Sequence, residues 1–397
     1  MEEKRKMKKR NLSFVGKILL IVVAAISIIF VAASSFSNVT FSNITGAVES
    51  FFHNLKKGDG YPYECSAEGA ESVDSIGSYL AMTDDSTVIF LNKTAKEVFK
   101  FDSTYTNPDM KVSNGRALVY NRGSSSFVVT GQSDLLYGSE ETNGVLEDAI
   151  ITGNIGKNGS LVFGTWTDEG TSKFVALNKK LGKEFYYVFS SNRVLYVTLS
   201  DNGKYAACAV FGVENASYYS TVYVFDLDKT EPVQTIKLPG ETVIRVDFLT
   251  NKSLSVITDL KRREISVKNK SEDNEVDYSA HSLIATDFDL SSKKSVICYS
   301  KYGSSSNVVC GFYKNGKESC RIEDIENVKS VSCNSNTIAV LTDSQVLCYG
   351  FGGSLKSTVE LTFNVDSVVL DSSALYLFSG SNIYRVKTGR DTVLEIE

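Results

Sequence analysis

The stretch Ser200-Asp201-Asn202-Gly203-Lys204-Tyr205-Ala206-Ala207 joins a polar turn to a strand of small and apolar residues. Glycine adopts the positive φ angles that tight turns require, and a short apolar run after such a turn is typical of a buried strand. The unit recurs along the chain, and its other copies begin at Ser78, Gly115, Gly159, Lys252, Lys294, Asn336 and Ser373. This self-similarity predicts a repeat architecture.

Each copy continues in the same way. Another strand follows the first, as at residues 88–91 and 222–225, and a polar turn such as residues 314–317 then leads into a third. Corresponding positions are separated by intervals from the high thirties to the high forties of residues, which is the range of a four-stranded propeller blade. The composition of 22 Phe and 20 Tyr but only 4 Pro also favours an all-β chain.

One such unit covers only part of its two faces, so neighbouring units must bury the rest, and a closed ring leaves no exposed terminal repeat. We therefore predict an all-β fold, a β-propeller of about eight four-stranded blades, or of seven if the shorter first and last units share one blade. Residues 393–396 are expected to close the ring by pairing beside the segment after Tyr61-Pro62-Tyr63.

The N-terminus has a different character. Six of the first ten residues are basic, and an apolar segment at residues 14–36 is long enough to cross a membrane as a single helix. Because lysine and arginine stay on the cytoplasmic side, residues 1–13 are predicted to be a cytoplasmic basic tail. The alternative is a cleaved secretory signal, since Ala32-Ala33-Ser34 offers small residues to a peptidase. Both interpretations put the rest of the chain outside the cytoplasm.

A juxtamembrane segment is predicted at residues 37–60. Within it, apolar residues recur at the spacing of one helical face, which predicts a short amphipathic helix at residues 43–57. This helix can lie on the membrane surface, pair with another copy, or pack against its own domain. Residues 61–397 are then the extracytoplasmic β-propeller.

The charge distribution bears on possible partners. Residues 1–17 carry seven lysines and arginines against two glutamates, whereas the remaining residues include 35 basic and 45 acidic ones. A nucleic-acid-binding domain would present a basic surface to the phosphates, so this acidic remainder argues against nucleic acid as a partner.

The seven cysteines show no Cys-x-x-Cys spacing, and the two histidines, His53 and His281, have no partners at ligand spacing. No metal site is therefore predicted. Most of the cysteines are expected to be small buried hydrophobic residues. Cys298 and Cys310 lie symmetrically about the turn Gly303-Ser304-Ser305, which leaves a cross-strand disulfide open as an alternative.

Catalytic motifs are missing from the sequence, including the P-loop, the nucleophile elbow and His-Glu-x-x-His. The lone His281 is interpreted as structural. The pairs Glu140-Glu141 and Glu147-Asp148 are interpreted as solvated loop carboxylates, although such groups can act in glycoside hydrolysis or bind calcium. The run Lys261-Arg262-Arg263 is interpreted as an exposed edge near a hairpin turn. We therefore predict no catalytic, metal-binding or cofactor-binding residues, no cofactor and no enzymatic activity.

Four further motifs are Gly60-Tyr61-Pro62-Tyr63, Asn107-Pro108 leading into Gly115-Arg116-Ala117-Leu118-Val119-Tyr120, the turn at residues 200–204, and Asn382-Ile383-Tyr384-Arg385. Together with the basic tail and the apolar segment, they resemble an uncharacterised bacterial family of membrane-anchored propellers similar to WD40 and TolB-like propellers. The resemblance covers the whole chain. It implies the architecture and brings no established activity.

These observations favour a membrane-anchored extracytoplasmic β-propeller that acts as a non-enzymatic binding or protein-interaction scaffold at the bacterial cell envelope. Its partner is expected to be a protein or a cell-envelope polymer, bound on a propeller face where loops converge. The alternative is an envelope carbohydrate-active enzyme that uses loop carboxylates. A sensor is disfavoured because the cytoplasmic tail has no room for a domain.

Overall fold

The computed structural model describes residues 57–395, except 66–69, 85–86, 138–143, 168, 170, 269–271, 302 and 373. The chain divides into two units, Met1–Phe51 and Phe52–Glu397, and the described residues belong to the second. They contain no helix that is long and apolar enough to cross a membrane. The predicted membrane segment at 14–36 and the amphipathic helix at 43–57 lie outside the described residues and stay predictions.

The described strands form eight sheets, which are the blades of a propeller. Blade 1 consists of β2 (Ala70–Ile76), β3 (Tyr79–Asp84), β4 (Thr87–Leu91) and β5 (Glu97–Asp102). Blade 2 consists of β6 (Pro108–Ser113), β7 (Arg116–Asn121) and β8 (Ser126–Thr130), with the short strands β9 (Leu135–Tyr137) and β10 (Gly144–Val145) both on the outer edge of β8. Blade 3 consists of β11 (Ala149–Ile155), β12 (Leu161–Trp166), β13 (Ser172–Leu177) and β14 (Lys183–Phe189). Blade 4 consists of β15 (Arg193–Leu199), β16 (Tyr205–Glu214), β17 (Ser217–Asp226) and β18 (Pro232–Pro239).

The second half of the ring repeats this arrangement. Blade 5 consists of β19 (Val243–Thr250), β20 (Ser253–Thr258), β21 (Lys261–Ser266) and β22 (Glu272–Asp277). Blade 6 consists of β23 (His281–Asp289), β24 (Lys294–Lys301), β25 (Ser306–Phe312) and β26 (Glu318–Glu326). Blade 7 consists of β27 (Ser330–Cys333), β28 (Thr337–Leu341), β29 (Gln345–Gly350) and β30 (Leu355–Leu361), extended by β34 (Thr392–Leu394). Blade 8 consists of β31 (Ser367–Leu370), β32 (Ala374–Ser379), β33 (Asn382–Lys387) and the N-terminal strand β1 (Tyr63–Glu64).

The eight turn-and-strand units of the sequence are the second strands of the eight blades. They correspond in order to β3, β7, β12, β16, β20, β24, β28 and β32. The prediction of eight blades is confirmed, and the alternative of seven is wrong. In β3 and β28 every residue is buried. A strand covered on both faces carries a continuous apolar run, and this is why these strands could be recognised in the sequence.

The hydrophobic core is divided among the boundaries between adjacent blades. The buried side chains of the described residues form eight clusters, and each cluster takes its buried members from two neighbouring blades. In β16, Ala206 and Cys208 pack toward blade 3, whereas Ala207 and Ala209 pack toward blade 5. Successive residues of one strand therefore serve two different cores, so no blade can bury its apolar side chains alone.

The ring is closed by the N-terminal strand. β1 pairs with β33 in antiparallel register, with Tyr63 opposite Ile383, and it supplies the fourth strand of blade 8. Tyr61, just before β1, joins this blade to blade 1. Its ring meets that of Tyr376 edge-on at 5.8 Å, and its hydroxyl donates a hydrogen bond of 3.2 Å to the carbonyl oxygen of Asn92.

The expectation that residues 393–396 close the ring is wrong. β34 pairs in parallel with β30 and so extends blade 7. The carbonyl oxygen of Leu394 also accepts a hydrogen bond of 3.1 Å from the hydroxyl of Thr362, next to β30. The short connection from Lys387 to Thr392 places β34 beside this neighbouring blade, because β1 already occupies the free edge of β33.

Replacing Tyr61 by alanine should destabilise the protein. Tyr61→Ala removes an aromatic contact and a hydrogen bond at the closure, so we expect the free energy of unfolding to fall by about 2–3 kcal/mol. Urea unfolding followed by intrinsic fluorescence measures it. Tyr186→Ala is the matched control, because Tyr186 is 58% exposed and its loss should change stability little. Equal effects of the two substitutions would contradict the closing role of Tyr61.

Six of the seven cysteines are buried, as predicted, and Cys65 is half-buried. All seven are free thiols. In the hairpin of blade 6, Cys310 lies opposite Ile297 and Cys298 lies opposite Val309. Because the register is offset by one residue, Cys298 and Cys310 point to opposite faces of the sheet and pack in different clusters. The alternative of a disulfide between them is wrong.

The interpretation of Lys261-Arg262-Arg263 as an exposed edge is also wrong for the two arginines, which lie buried in β21. Nη1 of Arg262 donates to the carbonyl oxygen of Gly316 at 2.7 Å, and the guanidinium lies 4.1 Å from the ring of Phe312 in blade 6. Burial lowers the pKa of Arg262 to about 10, so it stays charged at neutral pH.

Arg263 pairs with a carboxylate that lies just before blade 5. Its Nη2 donates to both carboxylate oxygens of Glu241, at 2.8 and 2.9 Å, and Thr258 donates to Oε2 of the same glutamate at 2.7 Å. Glu241 lies in the connection between blades 4 and 5. The ion pair therefore ties that connection to β21.

Removing the charge of Glu241 should be costly. Glu241→Gln removes the bidentate counter-charge of the buried Arg263 guanidinium and leaves it only the longer contact with Glu275, 3.7 Å from its Nε. We therefore expect a loss of about 3 kcal/mol in the free energy of unfolding. Glu214→Gln is the control, because Glu214 forms a close but solvent-exposed ion pair with Lys237 at 2.6 Å. We expect that control to leave the midpoint of urea unfolding unchanged. A small loss in Glu241→Gln would show that water replaces the missing charge.

A candidate binding site at the central channel

The first strands of the blades surround the central channel of the propeller. We call the side on which these strands begin the upper face, and the side of the turns between first and second strands the lower face. In five blades the first strand has a bulge near its start, where the register with the second strand shifts. The extra residues at these bulges are Glu71, Ile151, Leu195, Ile244 and Ile284.

Contacts between blades stabilise two of these bulges. A bulge leaves a backbone N–H without a partner in its own ladder. The hydroxyl oxygen of Ser172 in blade 3 accepts a hydrogen bond of 3.3 Å from the N–H of Val194, just before the bulge of blade 4. The hydroxyl oxygen of Ser220 in blade 4 likewise accepts a hydrogen bond of 3.0 Å from the N–H of Val243, just before the bulge of blade 5. The bulges are thus built into the blade boundaries.

Four of the five bulged residues are apolar, and we call Ile151, Leu195, Ile244 and Ile284 the collar. Ile244 and Ile284 are 45% and 41% exposed, whereas Ile151 and Leu195 are half-buried. Because the bulges occur at the same level of adjacent first strands, the collar lies at the upper mouth of the channel.

Polar residues follow the collar at a fixed distance. The residues three positions after the five bulges are Asp74, Asn154, Thr198, Asp247 and Asp287. At about 3.3 Å per residue they lie roughly 10 Å deeper in the channel. We call the charged residues at this level, Asp74, Lys111, Asp247 and Asp287, together with Asp109 and Arg245, which pair with them from positions nearer the upper mouth, the belt.

Arg245 organises the belt in blades 5 and 6. Its Nε donates to Oδ2 of Asp247 at 2.6 Å, and its Nη1 lies 3.9 Å from Oδ1 of Asp287. Burial alone would lower the pKa of Arg245, but Asp247, Tyr196 and Asp287 raise it above its ordinary value. Arg245 is therefore permanently charged.

Asp287 is also held by the next blade. Its Oδ2 accepts hydrogen bonds from the hydroxyl of Ser332 at 3.0 Å and from the N–H of Cys333 at 2.8 Å. Its Oδ1 accepts a bond of 2.8 Å from the N–H of Phe288. Both oxygens are thus engaged, and the carboxylate links blade 6 to blade 7.

Asp109 and Lys111 form the belt in blade 2. Their ion pair is 2.9 Å long, and the hydroxyl of Tyr120 donates to the other oxygen of Asp109 at 2.6 Å. Burial alone would raise the pKa of Asp109, but the charge of Lys111 and the hydrogen bond from Tyr120 bring it below its ordinary value. Asp109 is therefore ionised, and the ammonium group of Lys111 neutralises its charge.

Asp74 is the unmatched member of the belt. Its Oδ1 accepts a hydrogen bond of 2.7 Å from the N–H of Ser75, and Oδ2 has no partner among the described residues. Burial raises the pKa of Asp74 to about 6, and the negative charge of Asp287 adds to this rise, whereas the N–H of Ser75 and the charges of Lys111 and Arg245 oppose it without reversing it. Blades 1 and 6 are not neighbours in the ring, so this repulsion acts across the channel.

Three turns of the lower face are joined by one carboxylate. Asp201, in the turn of blade 4, lies 3.1 Å from Nζ of Lys157 in blade 3 and 2.7 Å from Nζ of Lys293 in blade 6. Lys293 is buried, and burial lowers its pKa although Asp201 opposes this. Because blades 4 and 6 are separated by blade 5, the ion pair with Lys293 crosses the lower mouth of the channel.

A long hairpin stands on the upper face of blade 4. β16 and β17 each have ten residues, and Asn215 and Ala216 at their tip both have positive φ angles, of 51° and 61°. Val213 is 65% exposed and Tyr218 is 43% exposed. They lie opposite each other in the ladder, so one side of this hairpin is apolar and open to solvent.

The structure separates the residues that the sequence singled out. The ring of His281 stacks on that of Tyr299 at 5.5 Å, at the start of blade 6. Asp148 pairs with Lys173 at 2.6 Å, and Glu147 lies 3.7 Å from the same Nζ. The pair at 140–141 lies outside the described residues. None of these residues belongs to the belt, which the sequence analysis missed.

Many solved structures resemble this fold, and three of them illustrate the likeness. BamB from Moraxella catarrhalis has a TM-score of 0.52 at 9% identity and covers 82% of this chain and 98% of its own. Sqt1 from Saccharomyces cerevisiae has a TM-score of 0.57 at 7% identity and covers 84% and 99%. The C-terminal WD40 domain of Sif2 has a TM-score of 0.57 at 12% identity and covers 83% and 98%. At such identities the likeness shows the fold alone.

The sequence comparisons give a family. The family of unknown function DUF5711 matches residues 55–388, which is most of the chain. A comparison with curated proteins returned no match.

Asp74→Asn should stabilise the protein at alkaline pH. The pKa of Asp74 is about 6 in the folded protein and near 4 in the unfolded chain, so its ionised form destabilises the fold above pH 6. We expect the variant to gain about 1–2 kcal/mol at pH 8, and the gain to shrink toward zero as the pH falls to 4.5. Urea unfolding at both pH values measures it.

Asp247→Asn is the matched control. Asp247 is buried and bound to Arg245, so its loss should destabilise the protein at pH 8 instead. If both variants change stability in the same direction, Asp74 is not the unmatched carboxylate of the channel.

Proposed function

The chain belongs to DUF5711, a family of unknown function, and we propose that it is a membrane-anchored, extracytoplasmic propeller that binds a protein partner without catalysing a reaction. The single observation that carries this proposal is the upper face. There the collar and the apolar side of the β16–β17 hairpin expose large apolar side chains to solvent. Exposed apolar side chains that gather on one face mark interaction sites on folded proteins.

The N-terminal sequence supports the anchor. Residues 14–36 are apolar except for Lys17 near their cytoplasmic end and a few small polar residues, and the basic residues before them keep the N-terminus in the cytoplasm. The propeller then stands on the extracytoplasmic side of the membrane. The likeness to BamB and to a WD40 domain supports a binding scaffold, because all three chains share this fold.

The carbohydrate-active alternative requires two carboxylates that are free to act on one bond, about 5–10 Å apart. In the belt, Asp109 and Asp247 each hold a cation, and both oxygens of Asp287 are engaged. Among the four carboxylates of the belt, only Asp74 forms no ion pair, and its Oδ1 accepts a hydrogen bond from the N–H of Ser75. A second carboxylate that could serve as base or nucleophile is therefore not available in the described part of the channel, and the belt favours binding over hydrolysis.

Crosslinking from the upper face should capture a partner. A photoreactive benzoylphenylalanine in place of Tyr218, in the full-length chain in producing cells, is expected to give a discrete adduct on illumination. Tyr313 is the matched control, because it lies on the lower face and is 41% exposed against 43% for Tyr218. Equal adducts from both positions, or none from Tyr218, would contradict the proposal. An adduct that a muramidase but not a protease removes would identify a cell-envelope polymer instead.

A phosphatase fusion tests the membrane topology separately. Alkaline phosphatase fused after Glu397 folds only outside the cytoplasm, so we expect an active fusion that stays in the membrane fraction after an alkaline carbonate wash. Deletion of residues 1–36 should abolish both properties. An inactive fusion of the full chain would refute the extracytoplasmic location.

A further inference from the structure

From the upper mouth inward, the channel presents two kinds of surface, one after the other. A group that enters there first meets the collar, where Ile244 and Ile284 are the most exposed members. It then meets the belt, about 10 Å deeper. An aliphatic chain is compatible with the first level, and a polar or charged group with the second.

The charges of the belt are not balanced. It contains four carboxylates and two cations, Lys111 and Arg245. Lys111 is matched with Asp109, and Arg245 lies between Asp247 and Asp287. Asp74 is left with a backbone hydrogen bond and an oxygen without a partner among the described residues. The belt is therefore complementary to one additional positive charge beside Asp74.

The lower mouth is electrostatically unfavourable for such a charge. Lys157 and Lys293 both approach Asp201 there, so this cluster of three side chains carries two positive charges against one negative. The two lysines of this cluster repel a cation that approaches from the lower face, whereas from the upper face a cation passes the apolar collar and then reaches a belt with more carboxylates than cations. Entry from the upper face is thus favoured.

We propose that the channel receives a lysine or arginine side chain of the partner protein, which lies on an extended segment with apolar neighbours that pack on the collar. This inference rests on the proposed function and specifies the chemistry of the partner. The aliphatic stem of the inserted side chain runs past the collar, and its charged end reaches the belt next to Asp74.

A long basic side chain fits these two levels better than other cations do. Lysine and arginine bury their methylene groups along apolar surface while the charged end finds a polar environment. A bare metal ion would gain nothing from the collar, and the described residues contain no group of three or more His, Cys, Asp or Glu side chains arranged to hold one. A free polyamine would use the belt but not the backbone and apolar neighbours of an extended segment.

The test uses the full-length chain and peptides of defined sequence. The probe is acetyl-Gly-Ile-Lys-Ile-Gly-amide with a fluorophore, and its binding is measured by fluorescence anisotropy. The comparison peptides carry norleucine or glutamate in place of the lysine, or serine in place of both isoleucines. We expect the norleucine and serine peptides to bind at least about tenfold more weakly than the probe, and the glutamate peptide more weakly still.

Variants of the protein show which residues bind the lysine and the isoleucines of the peptide. Asp74→Asn should remove most of the preference for lysine over norleucine, and Asp228→Asn, at a carboxylate of the lower face that is 77% exposed, should leave it unchanged. Ile284→Ser should weaken all the isoleucine peptides. Leu355→Ser is its control, because Leu355 is 54% exposed on the outer strand of blade 7. The pH dependence of stability in Asp74→Asn checks separately that this variant folds.

Three outcomes would overturn the inference. They are equal binding of the lysine and norleucine peptides, an unchanged preference in Asp74→Asn, and binding of free spermidine as tight as that of the probe. If one of these occurs while Tyr218 still gives a protein adduct, the proposed function stands and only the inserted basic side chain is rejected. If the adduct is missing as well, both proposals fail.

Discussion

The packing of each blade between two others is the constraint on which the rest of this structure depends. A second strand such as β16 sends alternate side chains into two different clusters, so both faces of the blade must be covered by neighbours. An open row of blades would expose one apolar face at each end. The ring removes both exposed faces, and β1 completes it by adding a strand to blade 8. Stability is therefore a property of the closed ring, and Tyr61 matters because it contacts both blades at the closure.

The same constraint explains where polar residues are tolerated. The central residues of the second strands are enclosed on both faces, whereas the first strands border the channel. Charged residues can occupy the first strands because solvent and opposite charges compensate for their partial burial. Asp247 and Asp287 share Arg245, and the bonds from Ser332 and Cys333 extend this network into blade 7. The belt thus holds blades together and leaves one carboxylate, Asp74, outside its ion pairs, although the charges of Lys111 and Arg245 act on it.

The sequence predicted the parts of the fold that depend on local patterns. The second strands were recognisable because burial on both faces gives an apolar run after a polar turn. The closure was predicted wrongly, because the pairing of β1 with β33 joins residues far apart in the chain and leaves no local signal. The possible disulfide between Cys298 and Cys310 was wrong because a register offset of one residue puts the two side chains on opposite faces of the sheet. Arg262 and Arg263 looked exposed because the sequence does not show that Gly316 and Glu241 lie beside them. The belt was missed for a similar reason, since its members are spread over four blades, although the repeated polar residue before Ile155, Phe248 and Phe288 was a visible signal.

The channel is polarised along its axis, and this polarity follows from how the blades are built. The bulges lie at the start of the first strands, so the extra residues they add, mostly isoleucine and leucine, gather at one mouth. The tight turns lie at the other end, where their polar residues bring Lys157, Asp201 and Lys293 together. Between them the belt carries more negative than positive charge. A ring whose first strands all run in the same direction cannot present identical mouths, because each mouth collects a different part of every blade. This asymmetry gives a rigid scaffold one preferred face without any moving part, and it assigns to that face an apolar entrance above an acidic interior.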